Sequence, residues 1–258
     1  MREPPQMLPR EIVERAQIVR LPLWPDLIAD IQRRAAQRGR PLGALELAHE
    51  LGDVRFAAAF APNSQTRPRW QGALSVFSFV TGSRPALVGH TTHTLDTLRA
   101  VPPPATWPDD PILWDQAEAA PLLSRLERRR GLLVPFSAEF WPGHRVTDPA
   151  KAPQGKRRAP RMRDVDIARH VQATQPHLER PAAYAFWLVT QLPGAQLNPL
   201  EARLMAEVTA PAAPGSFQVV SIRLTRRLQV DDPETLGWAL LRGAGRRRAY
   251  GVGMVAVG

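Results

Sequence analysis

Near its C-terminus the chain reads Leu241-Arg242-Gly243-Ala244-Gly245-Arg246-Arg247-Arg248-Ala249-Tyr250-Gly251-Val252-Gly253-Met254-Val255-Ala256-Val257. Four glycines frame three consecutive arginines and a tyrosine, and an apolar run follows. Glycine takes up positive φ and lets a backbone pass close to a ligand, so two Gly-x-Gly pairs around a basic cluster describe a loop that wraps a phosphate chain. The apolar run, residues 252–257, predicts a strand. Working back from it, Asp231 or Asp232 caps a helix that begins at Pro233 and carries Leu236, Ala239 and Leu240. Residues 217–230 predict a long strand, 210–215 a Pro/Ala turn, and 198–208 a helix capped by Asn198 with Pro199 first and Leu200, Leu204 and Val208 along one face. Residues 184–192, with Ala185, Phe186, Trp187, Leu188 and Val189, predict a buried strand. The succession is βαββαβ, the ferredoxin-like order.

The first 100 residues fit a looser version of that order. Residues 1–9 hold three prolines and form a lead-in. Residues 16–23 predict a strand centred on Ile18 and Val19, and Pro25 opens a helix with Leu27, Ile28 and Ile31 on one face that runs toward Gly39. A second short helix is expected within 41–52 and a strand over 54–60. After a loop at 63–72, residues 73–81 predict a strand that Gly82-Ser83 turns into 85–89. Residues 107–130 are expected to be mostly helical, closing at Gly131, with a strand over 132–140. From 142 to 181, lysines and arginines lie among prolines and glycines with few large apolar residues, a segment that cannot build its own core. It is expected to be a basic arm with one helix near 163–174. The fold class is therefore α+β: two ferredoxin-like (RRM-like) domains in tandem, 1–141 and 182–258, with a basic, partly helical insertion at 142–181.

Composition bounds the partners. The 258 residues carry 34 Lys+Arg against 24 Asp+Glu, a net charge of +10, which favours a polyanion. Lysine occurs only at Lys151 and Lys156, so the basic side is arginine, whose fork fits phosphate; a GC-rich genome gives the same bias. With no cysteine, disulfides, zinc-thiolate sites and thiol catalysis are excluded. No signal-peptide pattern and no apolar run long enough to span a bilayer is read, and a cytoplasmic protein without a membrane partner is expected.

The motif Gly243-x-Gly245, five residues, Gly251-x-Gly253 and an apolar strand, on a ferredoxin-like domain preceded by another, resembles the RAMP proteins of CRISPR systems. It is most similar to their RNA-processing endonucleases, which cleave repeat transcripts and often stay bound to the 3′ hairpin. Size, paired domains and the basic arm make the compact type IV branch the nearest match. The resemblance implies metal-independent cleavage without a cofactor: a ribose 2′-hydroxyl attacks the adjacent phosphate and leaves a 2′,3′-cyclic phosphate and a 5′-hydroxyl. It also implies the repeat stem-loop and other CRISPR effector subunits as partners, and RNA contact by Gly243, Gly245, Gly251 and Gly253. Many relatives carry a catalytic histidine near the first helix; here the first histidine is His49, past that helix, which offers arginines instead.

Such a reaction needs an aligned 2′-hydroxyl, charge stabilisation at phosphate, and proton transfer. Arginine does the second well and the third poorly, because it stays protonated. Arg38, at the end of the first long helix, and Arg242, at the entrance to the glycine loop, are expected to face each other across the cleft between domains. The plainer alternative makes both solvated helix-end charges. Arg20 is a third candidate, and His49 the alternative general base. Arg246, Arg247 and Arg248 are read as phosphate contacts, and Tyr250 as a base-stacking or a core residue. Lys156, Arg157, Arg158, Arg161 and Arg163 are read as a clamp on duplex RNA backbone or as a basic tether. His90 and His93 lack metal-ligating neighbours and are read as ordinary strand or loop residues. Two other functions stay open: a non-catalytic RNA-binding subunit that scaffolds a CRISPR complex, and a basic adaptor for DNA or ribosomal RNA.

Overall fold

The computed structural model describes residues 10–39, 42–60, 72–147, 162–197, 203–210, 219–245 and 253–258. A short helix α1 (Arg10–Arg15) leads into β1 (Gln17–Pro22), α2 (Pro25–Gln37), α3 (Ala44–Gly52) and α4 (Ala57–Phe60). The hairpin β2 (Val76–Val80) and β3 (Ala86–Thr91) follows, then α5 (Leu95–Arg99), β4 (Glu118–Pro121) and α6 (Leu122–Glu127). These strands form one antiparallel sheet in the order β2-β3-β1-β4. Along β1 the pleat sends Val19 and Leu21 into the core beneath α2, where Ile28, Ile31 and Ala35 cover them, and turns Ile18 and Arg20 to the opposite face.

The second sheet is built from β5 (Leu133–Phe140), β8 (Ala195–Gln196), β9 (Arg203–Ala210), β10 (Val219–Val230) and β11 (Val255–Val257). Its order is β11-β5-β10, with β8 and β9 both pairing β10, and every pairing is antiparallel. Between β5 and β8 lie a two-stranded hairpin, β6 (Gly143–Thr147) with β7 (Met162–Asp166), and two helices, α7 (Ile167–Gln172) and α8 (Arg180–Gln191). Helix α9 (Pro233–Arg242) connects β10 to the glycine-rich stretch. Each sheet thus has the ferredoxin-like strand order. Among the described residues no helix is long and apolar enough to cross a membrane.

Four expected elements are different. Residues 54–60 are a 3-10 turn (Val54–Phe56) and α4, not a strand: three alanines favour helix, and the Arg55 side chain is drawn inward. Residues 107–130 are mostly irregular, because Pro108, Pro111 and Pro121 interrupt them; β4 adds to the edge of β1, and the helical parts are a 3-10 turn (Trp114–Gln116) and α6. Residues 184–191 belong to α8, which Leu192 caps; its Pro181 occupies the first turn, and Ala182, Ala183, Tyr184, Ala185, Trp187 and Leu188 are buried. The helix expected over 198–208 is replaced from Arg203 onward by β9, paired along β10; residues 198–202 lie outside the described residues. Strand β5, expected to end the first domain, pairs with β10 and β11 in the second sheet, so βαββαβ starts there and not at Tyr184. The described parts of the arm are a strand pair and α7, residues 148–161 lie outside the described residues, and Arg180 and Pro181 open α8.

Candidate functional site

The glycine-rich stretch starts from a tightly held root. Asp232 caps α9: Oδ1 accepts from the Glu234 and Thr235 amides (3.1 and 3.3 Å) and Oδ2 from the Thr235 hydroxyl (2.6 Å). The Thr235 hydroxyl leads in holding the Asp232 carboxyl below its ordinary range. The helix ends at Gly243, φ 67°, whose amide donates to the Ala239 and Leu240 carbonyls. Next, the amide of buried Ala244 donates to the Gly253 carbonyl (2.7 Å), and the Gly253 amide donates to the Glu139 carbonyl on β5 (2.6 Å). The two ends of the stretch therefore meet at the end of α9. Gly245, φ 75°, passes close to Trp187, where a Cβ would lie 3.2 Å from the indole. Arg246, Arg247, Arg248, Tyr250 and Gly251 lie outside the described residues, as do Lys156, Arg157, Arg158 and Arg161. Arg163 sits on β7, in register with Val146.

Arg242 leaves the last turn of α9 and lays its guanidinium over the Trp238 ring, 4.2 Å from the centroid. Partial desolvation pushes its pKa down while the residue keeps contact with solvent. Arg38 follows α2, its amide donating to the Arg34 and Ala35 carbonyls. It lines a cavity of about 240 Å³ with Ile31, Ala35, Leu42, Glu50 and Trp107. His49, on α3, places Nδ1 3.5 Å from Oδ2 of buried Asp53 one turn later, a carboxylate that orients the ring.

Arg20 stands elsewhere. Between the two sheets, with α6 contributing Arg125, lies a cleft of about 1250 Å³ whose wall also includes Arg20, Arg226 and Arg227 and, as the one carboxylate side chain among the described residues, Glu118. Neither Arg38 nor Arg242 lines it. Sequence reading missed three of these arginines and the Asp53 partner of His49. The i,i+4 spacing of His49 and Asp53 was a readable signal. The cleft arginines had none, since only the fold brings β1, α6 and β10 together.

His90 is the other group that chain order hides. It is 1% exposed on β3, and its Nδ1 lies 3.1 Å from the Leu240 carbonyl of α9. Burial drives its pKa down to about 4, against a smaller upward pull from that carbonyl. A base whose folded pKa lies below its unfolded one stabilises the fold above the unfolded value and loses that stability as pH falls. Between pH 6.5 and about 4 the chain is expected to lose on the order of 3 kcal/mol through this residue. Denaturant melts at pH 7 and pH 4 check it: the stability of the wild type relative to His90→Asn should fall by that amount, and an unchanged difference refutes it. Among the described residues no three histidine or carboxylate side chains gather as a metal ion would need.

Together, the paired sheets, the clamped glycine stretch and the arginine-walled cleft define a tandem ferredoxin-like protein. A family model described as CRISPR associated protein matches residues 60–258, and the chain belongs to that family. Among solved structures, Thermus thermophilus Cse3, bound to an RNA representing a pre-cleavage complex, aligns with TM-score 0.58 and 18% identity over 94% of this chain and 98% of that one. Cas6e from Escherichia coli K-12 aligns with TM-score 0.53 and 12% identity over 93% and 98%. A chain of a CRISPR RNA-guided surveillance complex aligns with TM-score 0.56 and 15% identity over 93% and 98%. At these identities the likeness is one of fold. No curated protein sequence matches the chain.

Proposed function

We propose that this chain is a metal-independent endoribonuclease that cuts CRISPR repeat transcripts at the base of a hairpin and keeps the 3′ stem-loop. The observation that carries the reading is the clamped root of the glycine-rich stretch, with Arg242 projecting beside it, in a chain of the CRISPR-associated family. The Cse3 fold, solved with RNA, supports it. In the reaction, the 2′-oxygen forms a bond to phosphorus, the P–O5′ bond breaks, the 2′-hydroxyl proton leaves to a base or to water, and the 5′-oxygen takes up a proton. Arg242 and Arg38 stabilise the charge that builds on the phosphoryl oxygens. His49, oriented by Asp53, is the alternative group to take the proton. Gly243, Gly245, Gly251 and Gly253 let the backbone approach the RNA, Arg246 to Arg248 meet phosphates, Tyr250 stacks on a base, and the basic residues at 156–163 grip the stem.

Within the family we place the chain nearest the compact type IV branch, on the tandem halves, the basic arm and an α2 without histidine. It acts in the cytoplasm beside other CRISPR subunits, a role that the surveillance-complex neighbour makes reasonable. A second reading, a non-catalytic subunit that holds the repeat-derived RNA end, is favoured by that same missing histidine.

Purified protein incubated in EDTA with an end-labelled repeat hairpin separates the two. A single cut leaving a 2′,3′-cyclic phosphate is expected. Tight binding without scission overturns the enzyme and leaves the scaffold. If the cut occurs, its pH profile tests the base: an inflection that His49→Ala abolishes assigns the proton transfer to His49, and a profile without one leaves the proton to water and the arginines to charge stabilisation.

A further inference from the structure

His90 lies on the first sheet, yet its hydrogen bond goes to the last turn of the second half's final helix. Its own backbone is fixed from both sides: it pairs with Ile18 of β1 and Val76 of β2, and its carbonyl accepts from the Ser75 amide and hydroxyl, each at 2.8 Å. The imidazole is thus carried on a rigid mount. Its partner, the Leu240 carbonyl, can only accept, so Nδ1 carries the proton and Nε2 keeps its lone pair. The same carbonyl accepts from the Gly243 amide at 3.2 Å. Arg242 leaves the chain two residues after Leu240, and Ala244, which ties down the glycine-rich stretch, two residues after that.

We infer that His90 is a positioning residue for the RNA site: from the first sheet, its Nδ1–H sets the rotation and height of the last turn of α9, and with them the placement of Arg242 and of the root at Ala244 and Gly253. The consequence for catalysis rests on the nuclease reading above; the mechanical claim does not. Arg38 and His49 belong to the half that carries His90, and Arg242 to the other. On the nuclease reading these groups act on one phosphate, so the hydrogen bond bears on the distance between them, and a misplacement of about 1 Å costs such a site about 100-fold.

Two substitutions separate the role from simple packing. His90→Asn puts an amide nitrogen where Nδ1 stands; His90→Gln puts one where Nε2 stands and cannot reach Leu240. Hydrogen exchange of the Ala244 and Gly253 amides, followed without RNA, should match wild type in His90→Asn and be faster by about tenfold or more in His90→Gln, while β10 amides stay slow in both. Single-turnover cleavage of the repeat hairpin should fall about 10- to 100-fold in His90→Gln with affinity held, and recover in His90→Asn. Equal behaviour of the two variants, or unchanged exchange at Ala244 and Gly253 in His90→Gln, overturns the inference. If His90→Gln does not fold, the ring ¹⁵N shifts of wild-type His90 decide it: an Nε2–H tautomer refutes the bond. Wild type that cuts nothing while the exchange pattern holds would overturn the nuclease reading and leave the mechanical role standing.

Discussion

Asp110→Ala is expected to remove about 3–5 kcal/mol of stability, the scale of breaking a buried ion pair by deleting one partner. Arg55 is 1% exposed. Its Nε donates to Asp110 Oδ1 at 3.1 Å and a terminal nitrogen to Oδ2 at 2.5 Å, while the carbonyls of Val101 and Pro102 accept at 2.8 and 3.1 Å. Asp110 also accepts from the Trp114 indole at 2.8 Å. Deleting the carboxylate leaves a guanidinium in the core with two carbonyls as its remaining partners in this network, and orphans the indole. The damage should spread to α2, because the Trp24 amide at its start donates to the Pro111 carbonyl beside Asp110. A urea melt reads the loss as a lower midpoint. Arg55→Met combined with Asp110→Leu should recover much of it, since an apolar pair asks for no solvation. A loss below about 1 kcal/mol in Asp110→Ala would show that the cation finds other compensation.

Arg242→Ala is expected to slow cleavage of the repeat hairpin by about 100- to 1,000-fold, the usual cost of removing one donor aimed at developing oxyanion charge. Affinity should change by less than about tenfold, because the other arginines carry most of the phosphate attraction. The Trp238 ring holds the guanidinium on one plane and desolvates that face, which strengthens its attraction for an anion. Arg242→Lys should recover only part of the rate, since an ammonium neither forks nor stacks as flatly. Single-turnover kinetics with a parallel binding titration test this. Equal losses of rate and affinity make Arg242 a binding group, and unchanged rate removes it from the mechanism.

The elements that were legible are those whose signals are local. Pro25 opens α2, the Gly82-Ser83 turn sets up β2 and β3, Asp232 with Pro233 begins α9, and β10 shows a long alternating stretch. At 54–60 and 107–130 local alanines and prolines were misjudged, whereas for α8, β9 and β4 tertiary contact, not periodicity, decided the element. Helix α8 is buried on so much of its surface that Tyr184 to Leu188 offers no polar face to distinguish helix from strand. Its length and its alanines were the better guide. In β9, the leucine and valine four apart imitate a helical stripe, whereas the segment is a strand because β10 supplies a full row of backbone partners. Strand β4 is too short to announce itself and exists because β1 has a free edge there. For the site, Arg242 and the glycine root could be read from adjacent residues, but the Arg20 cleft and the His90 bond join segments that only the fold brings together.

The pairing of β5 sets a time as well as a shape. Its partners in β10 and β11 are made about 80 to 120 residues later, so the strand leaves the ribosome with nothing to pair against. Sheets closed by such distant segments fold slowly, and an apolar strand that waits is prone to associate with its copies. The yield of intact protein should therefore depend on how quickly residues 219–257 follow, so slowed elongation between β5 and β10 would lower soluble yield without altering one residue of the product.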